Sequence, residues 1–306
     1  MRKKIVIIDG NNNFYRAYFA NMNLSSMGKN IGAIFQFPRI LSMLMKTYNP
    51  DKMVICWDGR SSEHRTKLLP GYRVRDKKMN LRFDLEDFLY QKKYATKMAY
   101  FLGIPQIRDS YVEADDYIYT ITQKYKARGY RVIIVSTDKD FNQLIDKDVA
   151  VHNEKAKKLI NHKNAFKHLG YKPEQTVDYL CMLGDDSDKI PGYRGMGEVK
   201  TKDFLAKFNS IEDFLLGDNT YGKLDKEKLN QVYLLNRELI DLKFYHEKYM
   251  KDDKPVYYKH KINPKPRINK HIELCGKFGI KELRKPEFIR LFKPDYKDER
   301  FSSNSL

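Results

Sequence analysis

Three short apolar runs, rich in β-branched residues, each lead into an aspartate. They are Ile5-Val6-Ile7-Ile8-Asp9, Met53-Val54-Ile55-Cys56-Trp57-Asp58, and Val132-Ile133-Ile134-Val135 followed by Ser136-Thr137-Asp138. A short run without polar alternation is a strand covered on both faces, the kind found in parallel sheets. Stretches with helical period separate the strands: Asn12–Met22, Ile34–Tyr48, Asp84–Leu102 and Asp116–Arg128. Val149–Glu154 reads as one more strand. Strands alternating with helices predict an α/β domain with a central, mostly parallel sheet flanked by helices. Ligands of such sheets bind at the carboxyl ends of the strands, so Asp9, Asp58 and Asp138 are sent to one edge. A single aspartate after a strand is ordinary turn chemistry; three after three strands are a pattern.

A fourth acidic group, Glu113-Ala114-Asp115-Asp116, stands at the start of a predicted helix. The helix dipole favours carboxylates there, and Ser110 with Glu113 matches a capping box. Asp140 adds a further acid after the third strand. Two carboxylates about 4 Å apart repel by roughly 4 kcal/mol at an effective dielectric near 20, so acids that converge need solvent, protons or cations. No His or Cys accompanies them, which selects a hard cation held by oxygen, magnesium or manganese, over zinc. Cys56, Cys181 and Cys275 are widely separated and form no CxxC pair, which argues against a zinc site or a disulfide framework and for a reducing compartment.

The acids sit in a chain of 306 residues with a formal net charge of +18 and 42% hydrophobic residues. Such a composition supports a folded core and points to a polyanionic partner, nucleic acid before membrane. The apolar run after the N-terminal basic residues is too short for a signal peptide, and no run is long enough to span a bilayer; a soluble, cytoplasmic protein is expected. Much of the positive charge crowds residues 60–93, with Arg60, Arg65, Lys67, Arg73, Arg75, Lys77, Lys78, Arg82, Lys92 and Lys93 interleaved with Tyr72, Met79 and Phe83. Basic and aromatic residues together suit a single-stranded nucleic acid, and a solvated pair of charged helices is the alternative.

Beyond the sheet the chain turns helical, with Lys163–Leu169, Pro173–Leu183, Glu198–Phe208 and Ile211–Leu216, the last capped by Ser210. Between the second and third lies Gly184-Asp185-Asp186-Ser187-Asp188-Lys189-Ile190-Pro191-Gly192-Tyr193-Arg194-Gly195-Met196-Gly197. Glycines 192, 195 and 197 ahead of a helix carrying Lys200 and Lys202 suit backbone amides offered to a phosphate; a plain structural turn fits nearly as well. Residues 251–270 read as a linker, Ile272–Phe278 and Pro286–Phe292 as short helices. The division expected is an α/β domain over residues 1–172 and a helical region over 173–306.

These pieces in this order resemble the 5′ nuclease family of flap endonucleases and 5′–3′ exonucleases, from Lys4 to about Phe214. Asp9-Gly10 with Tyr15-Arg16-Ala17 is similar to the family's first block. Glu113-Ala114-Asp115-Asp116, Ser136–Phe141 and Gly184-Asp185 with Asp188 are similar to its acidic blocks. Ile190–Gly197 resembles its helix–three-turn–helix DNA-binding element, and the free-standing bacteriophage enzymes are the most similar members. The resemblance implies a PIN-like nuclease fold with a helical arch over residues 60–93, through which a 5′ single strand threads. It implies two divalent ions, Mg2+ or Mn2+, one held by Asp9, Asp58, Glu113 and Asp115, the other served by Asp116, Asp138, Asp140, Asp185 and Asp188. A family lysine at the scissile phosphate is matched by Arg73, with Arg75 as a second arch cation and Lys77 within the uncertainty of register. Arg16 is expected to pair with a phosphate and Tyr72 to stack on a base. Gly192, Gly195 and Gly197 inherit a potassium site, and with Arg194, Lys200 and Lys202 they make up the expected DNA-binding residues.

The function implied is metal-dependent hydrolysis of phosphodiesters in branched or 5′-flapped DNA, or in RNA–DNA duplex, during replication or repair. A monomer recruited by replication proteins is expected. A non-catalytic branched-DNA-binding protein on the same fold, and an RNA-directed PIN-type ribonuclease, are the alternatives.

Overall fold

A computed structural model describes residues 2–59, 62–74, 83–110, 112–250 and 264–296. In chain order the N-terminal part runs β1 (Lys4–Asp9), α1 (Gly10–Ala20), a small hairpin β2 (Ser25–Ser26) and β3 (Lys29–Asn30), α2 (Gly32–Tyr48), β4 (Lys52–Trp57), α3 (Glu63–Leu68), α4 (Leu85–Phe101), β5 (Gln106–Arg108), α5 (Ala114–Ala127), β6 (Arg131–Val135), β7 (Val149–Asn153) and β8 (Lys158–Ile160). Six of these strands form one sheet in the order β5-β4-β1-β6-β7-β8. All neighbours are parallel except β7 and β8, which are antiparallel.

The period of two along β1 explains the layers. Val6 and Ile8 face one core with α1, α2 and α4, and Ile5 and Ile7 face another with α5. The expected strands and helices form within a few residues of their predicted limits. α1 begins at Gly10, two residues before its expected start, because Asp9 caps it, accepting a hydrogen bond from the backbone N–H of Asn12. The capping box at Ser110 does not form: Glu113 is the N-cap of α5 without a side-chain cap, and the carboxylate of Asp58 instead accepts from the Ala114 N–H at 2.9 Å. β5 and β8, three residues each, are additional to the expected strands.

The remaining helices are α6 (Ala165–Leu169), α7 (Thr176–Leu183), α8 (Glu198–Phe208), α9 (Ile211–Leu216), α10 (Lys226–Ile240), α11 (Leu242–Tyr245), α12 (Ile268–Lys277) and α13 (Pro286–Ile289). The α7–α10 group closes a third core around Leu180, Phe204, Phe214 and Tyr233. Residues from α12 and α13, among them Ile268, Leu274 and Ile289, pack in the same core as α1, α2 and α4. Among the described residues no helix is long and apolar enough to cross a membrane.

Candidate active site

Strand register brings the acids together. Ile8 lies level with Ile55 of β4 and with Val135 of β6, so Asp9, Asp58 and Asp138 leave the sheet side by side. α5 starts at the same edge and adds Glu113 and Asp115. The turn joining the two-residue strands β9 (Gly184–Asp185) and β10 (Ile190–Pro191) adds Asp188. These six carboxylates line a cavity of about 680 Å3 with Asn11, Asn12, Tyr15, Gly59, Ser187 and Arg73. Gly59 is required by close packing, since a Cβ there would stand 1.9 Å from the carbonyl oxygen of Asp109.

Each acid is held by a partner that sequence spacing does not reveal. Asp9 accepts from Ser136 Oγ at 2.8 Å. Asp58 accepts from Asn11 Nδ2 at 2.5 Å, and Asn11 in turn accepts from Lys92 Nζ at 2.6 Å. Asn12 joins β1 to β6 through the hydroxyl and backbone N–H of Thr137. The run Gly10-Asn11-Asn12-Asn13, three amides directly after a strand aspartate, went unread in the sequence.

Arg73 reaches into the middle of the cavity. Its Nη1 lies 3.1 Å from Glu113 Oε2 and 4.0 Å from Asp58 Oδ1, its Nη2 3.0 Å from Asp115 Oδ2, and its Nε 3.0 Å from Asp188 Oδ2. Arg73 thus lies among the acids, ion-paired with Glu113, Asp115 and Asp188. Arg75 and Lys77 fall outside the described residues.

Arg65, read with its neighbours as part of a nucleic-acid-binding surface, is instead 1% exposed. It donates two hydrogen bonds to Asp116 and one to Glu113, a fourth to the carbonyl of Leu239, and stacks on Tyr245 at 3.8 Å. Both oxygens of Asp116 are therefore taken, and the structure places Asp116 behind the cavity and not on its wall. Tyr72 is likewise no exposed stacking platform: it is 3% exposed, packs in the third core, and donates its hydroxyl to Glu113. Asp140 and Asp185 lie off the lining. Asp185 is engaged with the N–H and hydroxyl of Ser187, yet both acids are near enough to Asp138 for their charges to interact. Arg16 points away, 3.9 Å from Glu154.

The glycine-rich element lies apart from the cavity. Gly192 packs where a Cβ would approach Leu183 O to 2.3 Å, a structural demand. Gly195 takes a positive φ of 88°, and Gly197 caps α8 through its extended backbone without a side chain. Arg194 is exposed, Lys200 donates to the Gly195 carbonyl, and Lys202 pairs with Glu198.

Crowding of charge shows in the acids themselves. Burial, followed by the charge of Asp58, pushes Asp9 up to about 7. Burial likewise holds Asp115 well above the carboxylate range, against the pull of Arg73 and aided by Asp138, Asp58 and Asp9. Asp138, Asp140 and Asp188 are raised, burial again leading. Glu113 is the exception: burial opposes its charge, but Arg65 and Arg73 hold it below its ordinary value. Six hard oxygen donors with surplus negative charge fit divalent magnesium or manganese in kind. As they stand, however, no three acidic, His or Cys side chains among the described residues are gathered tightly enough to hold one ion.

Carboxylates gathered at the carboxyl edge of a parallel sheet, in a strongly basic chain, are the arrangement a metal-dependent nuclease requires. The chain belongs to the 5′–3′ exonuclease family: residues 4–170 match the model of the 5′–3′ exonuclease N-terminal resolvase-like domain. The 5′–3′ exonuclease of Aquifex aeolicus (strain VF5) is 30% identical over 245 residues, which are 78% of this chain and 83% of that protein. Among solved structures, the bacteriophage T5 5′-exonuclease with bound zinc ions aligns over 96% of this chain and 98% of its own, at 20% identity and a TM-score of 0.66. Flap endonuclease-1 from Methanococcus jannaschii aligns over 95% and 92%, at 15% identity and a TM-score of 0.55. At these identities the two structures establish a shared fold.

Proposed function

We propose that the chain is a structure-specific 5′ nuclease that hydrolyses phosphodiesters in branched or 5′-flapped DNA, and in RNA–DNA duplex, with two divalent ions, Mg2+ or Mn2+. The observation that carries this reading is the cavity at the sheet edge, where Asp9, Asp58, Glu113, Asp115, Asp138 and Asp188 converge beside Arg73. Divalent ions bound there supply polarisation of the scissile phosphate and a lowered pKa for the attacking water. The protein's part is to keep the donors in place. Ser136 and the Asn12 amide orient Asp9, Asn11 and the Ala114 amide orient Asp58, and Arg65 with Tyr72 orients Glu113. Asp140 and Asp185 sit one step back, suited to act through water. Asp116 is left out of the metal set, because Arg65 saturates it.

The acids alone would repel a polyanion, and the positive charge of the rest of the chain offsets them. The glycine-rich turn of residues 192–197 and the start of α8 are a second DNA contact, a helix–three-turn–helix element with a potassium ion at its carbonyls. In this division residues 1–172 supply most of the metal-binding acids, Asp185 and Asp188 add to them from residues 173–306, and the rest of that region grips duplex. The enzyme acts as a monomer in replication or repair.

The test is Asp138→Asn on a duplex carrying a 5′-labelled single-stranded flap. Cleavage should fall by on the order of 100-fold or more, while DNA affinity changes by no more than about threefold. Comparable losses in both would contradict the assignment of the cavity. Preference for single-stranded RNA over the flap would favour an RNA-directed nuclease.

A further inference from the structure

The carboxylate cavity holds a cation supplied by the chain itself. Arg73 is the one basic residue on its lining among the described residues. Its guanidinium joins three elements at once: Glu113 and Asp115 at the start of α5, Asp188 in the turn between β9 and β10, and Asp58 after β4. Its backbone N–H is bound as well, to the carbonyl of Asp188 at 3.1 Å. The residue takes a φ of 52°, in the left-handed region that a side-chain-bearing residue adopts at an energetic penalty. The contacts of the guanidinium hold it there.

A guanidinium is flat and presents its N–H groups outward, so oxygens bound to it stand apart around its rim. A small divalent ion instead draws oxygens inward, to about 2.0–2.1 Å for magnesium. The oxygens that would converge on an ion, Glu113 Oε2, Asp115 Oδ2 and Asp188 Oδ2, are the ones aimed at Arg73. This accounts for six suitable donors that nowhere gather into a ready-made ion site.

We infer that Arg73 is the resident cation of the cavity, and that a divalent ion enters by exchange with it. The inference rests on the reading of this cavity as the metal site. Metal affinity is then set by competition: whatever holds the guanidinium in the cavity weakens metal binding, and whatever draws it out strengthens it. Because the Arg73 side chain also holds the Asp188 carboxylate, the exchange releases that carboxylate in the turn between β9 and β10.

The test uses DNA-free protein and no turnover. Mn2+ is titrated into wild type, Arg73→Gln and Arg73→Lys, and free Mn2+ is followed by electron paramagnetic resonance. Arg73→Gln should bind its first ion at least tenfold more tightly than wild type, with Arg73→Lys between them. In chelator Arg73→Gln should melt below wild type, and saturating Mn2+ should narrow the gap. Equal or weaker Mn2+ binding by a folded Arg73→Gln overturns the exchange while leaving the metal site standing. No Mn2+ binding by any of the three overturns both. Should Arg73→Gln not fold, the wild type suffices. The side-chain Nε–H signal of Arg73 in NMR, assigned by its loss in Arg73→Lys, should shift and lose protection as Mg2+ is added. A signal unmoved at saturating Mg2+ overturns the exchange.

Discussion

Arg65 shows at the scale of one residue how a charge that reads as surface can be the anchor of a site. Its partners Glu113 and Asp116 lie 48 and 51 positions away in the chain, and nothing local separates it from the lysines and arginines around it. Asp9, Asp58, Asp138, Glu113 and Asp115 were legible because each follows a strand or starts a helix, and Asp188 only through the family's acidic block. The residues that aim them, Asn11, Ser136 and Arg65, were not, since their roles depend on contacts across the fold. Arg65→Gln leaves two buried carboxylates facing one amide and should destabilise the protein by about 3–5 kcal/mol, measured by denaturant unfolding, with Lys67→Gln as a near-neutral control. His271 offers a pH test away from the acids. Burial lowers it to about 4; Nε2 donates to the Leu283 carbonyl at 3.0 Å, and Nδ1 is buried without a partner. The folded state refuses a proton that the unfolded chain accepts near 6.5. Its contribution is therefore complete above about 6.5 and is lost as pH falls toward 4, by roughly 3 kcal/mol in the limit. Across that window unfolding free energy should rise with pH more steeply in wild type than in His271→Gln.

At the scale of elements, the parallel strands β1, β4, β6 and β7 and the long helices α1, α2, α4, α5 and α8 were readable because continuous apolar runs and apolar stripes carry them, whereas α10 was not read. β5 and β8 escaped because three residues carry no period. The cap of α5 escaped because a carboxylate from another strand, Asp58, supplies it. The helical region is joined to the acidic turn through Asn236, fully buried on α10, whose Nδ2 donates to the carbonyls of Cys181 and Pro191 at 2.9 and 2.7 Å. These two bonds fix the end of α7 against β10, and so the position of Asp188. Asn236→Ala should cost about 1–3 kcal/mol through the carbonyls left unpaired. Hydrogen exchange should quicken across residues 184–191 more than across β1; uniform quickening would mean that Asn236 serves the whole fold and not this turn.

Over the whole molecule the arrangement is a compact acidic cavity inside a protein of net charge +18. In the proposed function the acids take up cations and the positive charge of the chain meets the polyanion. Binding of flapped DNA should therefore weaken steeply with salt, by on the order of 1,000-fold between 50 and 200 mM if about six phosphates are neutralised; a flat salt response would mean that the positive surface does not meet the backbone. Family membership gives the class of chemistry, and under the proposed function the side chains of the cavity perform it, as metal-dependent cutting at a 5′ branch. The direct measurement is a duplex with a 5′-labelled single-stranded flap, incubated with the purified protein in magnesium and in chelator. The account predicts cutting near the junction in magnesium and none in chelator. Tight binding without cutting, in magnesium and in manganese alike, would contradict it: the acids around Arg73 would then hold a branched-DNA scaffold together and not a working metal centre.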